Sequence, residues 1–156
     1  ELSPRGAEEV EFVVSTNPGS KAGPLPKIAS GGELSRISLA LQVAASENVT
    51  APTMIFDEVD VGIGGGVAEV VGTLLRRLSQ SVQVICVTHL GQVASQGQHH
   101  FKVSKGSSDQ ATQTDLELLS AEARIDEIAR MVGGVDMTES SRAHAQDMLS
   151  RAKGHG

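Results

Sequence analysis

Aromatic side chains are nearly missing from this chain, which carries three Phe and neither Trp nor Tyr. Its core must therefore be aliphatic, and stacking of nucleic-acid bases on aromatic platforms is not the expected mode of binding. Cysteine is as scarce. The single thiol, Cys86, lies inside the apolar run Val82 to Val87, so no internal disulfide can form, which fits a reducing cytoplasm. No apolar stretch reaches the roughly 18 residues of a membrane span and no signal-like segment is present, so no membrane partner is expected. Positive charge is not in excess either. The formal net charge is −6, which rules out a chain-wide electrostatic grip on phosphate backbone and leaves any DNA contact local or elsewhere.

What is present points to chemistry at the end of a strand. Met54-Ile55-Phe56 is a short apolar run with Pro52 before it and Asp57-Glu58-Val59-Asp60 and Gly62 after it, the pattern of a buried parallel strand in an α/β sheet. Ligands of such sheets sit beyond the carboxyl ends of the strands. There Asp57 can hold a hydrated Mg²⁺ and Glu58 can orient an attacking water, the Walker B arrangement of a nucleotide hydrolase. The plain alternative is a strand entering a solvated turn. A second apolar run, Val82 to Val87, ends in Thr88 and His89, and His89 could donate a hydrogen bond to a terminal phosphate or to the water.

Upstream, Ser30-Gly31-Gly32-Glu33 feeds a helix with Leu34, Ile37, Leu41 and Ala44 or Ala45 at helical spacing. Two glycines at a helix start allow close approach of a ligand, and exposed amides with the helix dipole favour an anion there. Equally, Ser30 could simply cap the helix. Arg36 could reach the same anion or pair with Glu33 on the surface. After the acidic strand, Gly62-Ile63-Gly64-Gly65-Gly66 opens a second amphipathic helix with Val67, Val70, Val71, Leu74, Leu75 and Leu78. This is not a dinucleotide fingerprint, because the third glycine would fall at Val67. It reads as a flexible turn placing Asp60 at an interface.

The remaining elements frame these motifs. Glu11 to Ser15 reads as a strand, Asn17 to Pro26 as a surface loop, Gly91 to Gln98 as a turn or short helix, and His99 to Lys105 with Thr112 to Leu119 as a hairpin turning at Gly106 to Asp109. Ala121 to Val132 is a helix ended by Gly133-Gly134, Thr138 caps a last helix through Leu149, and the tail Lys153 to Gly156 is frayed. His99 and His100 have no metal-ligand spacing with Cys86 or His89.

A glycine signature before a helix, a strand ending in Asp-Glu, a glycine turn with Asp and a strand ending in His follow the order seen in an ABC-type ATPase head. The set resembles the carboxyl-terminal lobe of such a head, and Glu33, where transporters usually carry Gln, resembles the SMC-like chromosome-maintenance branch. Lys27 to Arg36, Phe56 to Gly65 and Thr88 to Ala94 resemble the bacterial RecN family of DNA repair proteins, as do Ser15 to Gly19 and Ala129 to Gly134, so that the likeness runs from about Val10 to Leu149. Gly91 departs from it, since the family commonly has proline there.

The resemblance implies an α/β fold, the carboxyl-terminal lobe of an ABC/SMC-type ATPase head, with a mostly parallel sheet flanked by helices and an antiparallel hairpin. It implies ATP and Mg²⁺ as cofactors, with Asp57 assisting the metal, Glu58 as general base and His89 sensing the terminal phosphate. Ser30, Gly31, Gly32 and Glu33 would form the signature that meets a nucleotide held by the opposite protomer, and Asp60 would communicate across that interface. The partners implied are a homodimer of ATP-sandwiched heads, the chain's own amino-terminal Walker A lobe, and DNA through the full-length protein, in a cytoplasmic, nucleoid-associated setting. No Gly-Lys dipeptide occurs, hence no phosphate loop, and no coiled-coil heptads are present. Residues 1–156 are therefore expected to be half of a head, inactive alone. A transporter nucleotide-binding domain and an ATP-gated structural DNA clamp are the rival readings.

Overall fold

A computed structural model describes residues 6, 11–15, 19–25, 30–45, 51–108, 111–134 and 137–154. Thr16 to Pro18 of the expected turn, Lys27 to Ala29 of the signature stretch, Asp109 and the last two residues of the tail lie outside the described residues. The elements in order are β1 (Val13–Val14), β2 (Gly23–Pro24), α1 (Gly31–Ala44), β3 (Thr53–Phe56), α2 (Gly65–Leu78), β4 (Gln83–Cys86), α3 (Gly91–Ala94), β5 (Phe101–Ser108), β6 (Ala111–Leu118), α4 (Ala121–Gly133) and α5 (Glu139–Lys153).

Strands β3 and β4 form a parallel pair in the register Thr53 with Gln83 through Phe56 with Cys86, and α2 is the crossover between them. Met54, Phe56, Val84 and Cys86 turn one face of the pair onto Leu39 and Val43 of α1, Ala68, Val71, Leu75 and Leu78 of α2, and Val93 of α3. The other face is uncovered, with Ile55 at 70% and Ile85 at 46% exposure. The sequence suggested strands buried on both faces; among the described residues helices pack on one face only.

Two antiparallel pairs complete an α/β fold of mixed strand direction. β5 and β6 pair from Phe101 with Leu118 to Ser108 with Ala111, so toward the turn the first arm runs three residues and the second one residue further than the sequence suggests. Val13 and Val14 pair with Pro24 and Gly23, placing a strand where the composition reads as loop. Proline is compatible with this position because an edge strand leaves its missing N–H without consequence.

Local chemistry explains the helix ends. Ser30 caps α1 in a reciprocal box with Glu33, and Thr138 caps α5 in a box with Ser141. Gly134, at φ 78°, ends α4 in a conformation that side chains disfavour. Helices α4 and α5 bury Ile128, Ala129, Ala145 and Met148 between them, and Arg142 ties them through Asp126 at 2.8 Å. Gly91 opens α3 at the foot of α4. A Cβ there would stand 2.6 Å from Cγ1 of Val132, so the bare glycine lets the two helices meet closely.

Expectation and structure part on α1. Its buried positions are Gly32, Leu39 and Val43, whereas Leu34 and Leu41 are exposed and Ile37 half-buried. The helix is apolar on both sides, and such a stripe by itself does not say which side faces the core.

Candidate functional site

The carboxyl ends of β3 and β4 lie side by side, since Phe56 and Cys86 are register partners and the Val87 amide donates to the Phe56 carbonyl at 2.9 Å. Asp57 and Glu58 leave β3 exposed, and Thr88 and His89 leave β4 at the same edge. The turn that follows Glu58 closes through the Val61 amide on the Glu58 carbonyl at 3.2 Å. Glu58 has φ 60°, the left-handed region, and is the one non-glycine residue so placed among those described. Backbone strain at a non-glycine residue of this kind collects at functional sites. Asp57 uses Oδ1 to accept the Glu58 amide at 2.9 Å, which fixes its carboxylate at the strand end.

The start of α1 packs onto this turn. The carboxylate of Glu58 lies close to Gly31, with Oε2 3.7 Å from where a Cβ on that glycine would be. Gly32 is buried, and a Cβ there would meet the Val61 carbonyl at 3.1 Å and the Glu58 carbonyl at 3.4 Å, so close packing alone calls for glycine. Ser30 acts as a cap. Its hydroxyl donates to Glu33 Oε2 at 2.8 Å, and its amide donates to the same oxygen at 2.7 Å. The Ser30 amide, then its hydroxyl, hold the Glu33 carboxyl below its ordinary pKa. The helix's own ladder provides no acceptor for the amides of Gly31 and Gly32.

Two side chains here have partners that the sequence does not announce. Arg36 Nη1 donates to the Val61 carbonyl at 3.0 Å and to the Val59 carbonyl at 3.4 Å. Within this chain the Asp60 side chain turns toward the core. It is 2% exposed and points inward, where Oδ2 accepts the Thr88 hydroxyl at 2.5 Å and the His89 amide at 3.2 Å. His89 Nδ1 lies 3.4 Å from that oxygen, while most of the imidazole remains exposed. The buried strand edge supplies donors and so draws the carboxylate in.

Sequence reasoning missed four residues that hold the frame. Arg124 of α4 donates to the carbonyls of Gln98, Ala94, Ser95 and Gly97, which closes the end of α3. Glu127 is buried and receives Lys102 of β5 at 2.7 Å and Arg130 at 2.6 Å. Their only sequence signal was charge on a predicted helix or, for Lys102, on a predicted strand, which usually means a solvated face. Burial, with the Asp60 and Asp57 carboxylates nearby, pushes the Cys86 thiol up to about 12. Among the described residues no cluster of three His, Cys, Asp or Glu could hold a metal by itself. Asp57 remains suited to a hydrated Mg²⁺, which takes one or two carboxylates and completes its shell with water and phosphate. No helix is long and apolar enough to cross a membrane among the described residues. A cavity of about 190 Å³ between α2, α3 and α5, lined by Glu69, Gln92 and His144 among others, contains none of these candidate residues.

No family model matches the chain. It is 55% identical over 146 residues to the DNA repair protein RecN of Xylella fastidiosa strain Temecula1, which covers 94% of this chain and 26% of that protein. It is 53% identical over 150 residues to RecN of Vibrio cholerae and 39% identical over 152 residues to RecN of Bacillus subtilis, covering 27% and 26% of them. The chain thus spans about a quarter of the length of the curated relatives it matches. Its fold is similar, at TM-score 0.52 and 22% identity over 84% of both chains, to a solved structure from work on ATP-driven dimerization and DNA-stimulated activation of SMC ATPases. That likeness concerns the fold alone.

Proposed function

Since the chain belongs to the RecN family of DNA repair proteins, we propose that it is the carboxyl-terminal half of an SMC-like ATPase head, coupling ATP-dependent head dimerisation and ATP hydrolysis to DNA double-strand break repair. The observation that carries this reading is the meeting of three motifs at one edge: Asp57-Glu58 ends β3, Thr88-His89 ends the adjacent β4, and the start of α1 lies against the Glu58 carboxylate. The full-length protein would act in the cytoplasm, at the nucleoid, as a homodimer that engages DNA.

Each residue's part follows from its place. Glu58, exposed at the strand end, orients a water and takes its proton. His89, held through its backbone by Asp60, presents an exposed imidazole that can donate to the terminal phosphate. Asp57 would hold a hydrated Mg²⁺, which neutralises charge on the β- and γ-phosphates when bound. The Ser30 hydroxyl and the amides at the start of α1 would meet the γ-phosphate of a nucleotide whose phosphate loop belongs to the opposite protomer, with Glu33 keeping that helix start in place. The amino-terminal lobe would bring the phosphate loop, so residues 1–156 alone are expected to turn over no ATP.

The test mixes complete heads bearing Ser30→Arg with complete heads disabled in the phosphate-loop lysine. Each mixed dimer then has one composite site with both defects and one with neither, so hydrolysis should partly recover above either variant alone. Mixed dimers that form without recovery would place Ser30 within its own head and reduce it to a helix cap.

A further inference from the structure

The turn between Asp57 and Ile63 is gripped from two sides. On one side α1 supplies Arg36, whose Nη1 donates to the carbonyls of Val59 and Val61, and Ser35, whose hydroxyl donates to the Asp57 carbonyl at 3.5 Å. On the other side the buried Asp60 carboxylate accepts the Thr88 hydroxyl and the His89 amide. Val59, fully buried, anchors the turn in the core between these two grips. The carbonyls on either side of Asp60 are thus held by α1 while its side chain is held by the residues after β4. Both grips are charge-assisted, one through a guanidinium and one through a carboxylate.

We propose that Arg36 and Asp60 are positioning residues that lock the turn into a single link between the start of α1 and His89. A displacement of the α1 start is then carried to the His89 backbone without either residue touching nucleotide. The path runs from Arg36 to the Val59 and Val61 carbonyls, through the Asp60 side chain, to Thr88 and His89. Gly32 belongs to it passively, because its missing Cβ leaves room for the Val61 carbonyl and for Arg36 Nη1, which a Cβ would meet at 3.2 Å. The catalytic consequence rests on the ATPase reading above, whereas the mechanical link does not.

The experiment therefore has two arms, both on the full-length protein. In the first, amide hydrogen exchange is followed in wild type and in Arg36→Gln. The expected result is exchange at least tenfold faster at His89 and Leu90 as well as at 59–63, although Arg36 has no contact there. Faster exchange confined to 59–63 would break the link and overturn the proposal, whatever the enzyme does. The second arm measures KM, kcat and ATP-dependent dimerisation for Arg36→Gln, Arg36→Lys, Asp60→Asn and the Arg36→Gln/Asp60→Asn double variant. Two residues holding one turn should each lower kcat at least tenfold with KM within about threefold, and the double variant should be little worse than the poorer single. Arg36→Lys keeps the charge but ends one bond short of the reach of Nη1, and should leave kcat low. Loss of dimerisation with a tenfold rise in KM would make Arg36 a nucleotide contact, and multiplying effects would make the residues independent; either overturns the proposal. A kcat that falls only with the folded fraction also overturns it. Wild-type protein without ATP turnover would instead fail the ATPase reading, leaving the exchange arm to decide the link.

Discussion

Lys102 of β5 and Glu127 of α4 meet at 2.7 Å, which ties the antiparallel hairpin to the helical half of the chain through a carboxylate that is almost wholly buried. Arg130, one turn along α4, donates to the other oxygen of the same carboxylate at 2.6 Å. A buried carboxylate without partners would shift upward; two cations reverse that here and hold the Glu127 pKa at about 2, against an ordinary 4.5.

The pair makes stability depend on acid. A carboxyl whose folded pKa is depressed contributes stability above its unfolded value and loses it as pH falls through the folded one. The Glu127 contribution, on the order of 2 kcal/mol, should be intact above pH 4.5 and gone near pH 2. Urea unfolding of the chain at a series of pH values should show wild type falling toward Glu127→Gln across that window. Parallel curves would mean that the ion pair contributes nothing.

Glu58 sits in the left-handed region, and the same substitution position can separate strain from chemistry. Glu58→Gly should raise stability by about 0.5–1 kcal/mol, because glycine adopts this φ without the steric cost of a Cβ. Glu58→Gln keeps the strain, so its stability should stay near wild type, while hydrolysis by the full-length protein should fall roughly 10²–10⁴-fold with ATP-dependent dimers persisting. Thermal unfolding and steady-state turnover read the two effects independently.

Gly72 marks the crossing of α2 and α3. A Cβ there would meet the Gln92 carbonyl at 3.1 Å and the Val93 Cα at 3.2 Å, both backbone atoms that cannot swing aside. Gly72→Val should cost about 1–3 kcal/mol by overpacking. Gly66→Ala, in the same helix with nothing within 4 Å, should be neutral or stabilising by about 0.5 kcal/mol. Equal melting temperatures for the two variants would remove the close crossing from the account.

Cys86 should behave as an inert thiol. With its pKa pushed up to about 12, roughly one molecule in 10⁴ carries the thiolate at pH 8. A chromogenic disulfide reagent should therefore modify the folded chain slowly and the urea-unfolded chain at once. Rapid labelling in the folded state would place the thiol outside the packed face of the strand pair.

Much of this architecture was legible because it depends on neighbours a few residues apart. The capping boxes of Ser30 with Glu33 and of Thr138 with Ser141 are closed by side chains three positions apart. The runs ending at Phe56 and at Cys86 announce strands, and the polar residues after each must leave at the sheet edge. That reasoning puts Asp57, Glu58 and His89 at one edge, where they stand in the structure.

Other decisions belonged to the tertiary structure. Helix α1 carries apolar residues on both sides, so only packing against β3, β4 and α2 chose Leu39 and Val43 over Leu34 and Leu41 as its buried stripe. Arg36 bonds to backbone carbonyls 23 and 25 residues away, and a carbonyl is the same group at every position, so nothing in the order of residues marks it as the partner. Asp60 reads as an interface residue beside a glycine turn, and only the fold brings Thr88 and His89 to its buried carboxylate. Local chemistry writes itself into adjacent residues, whereas a contact with the backbone of a distant turn leaves no trace until the chain has folded.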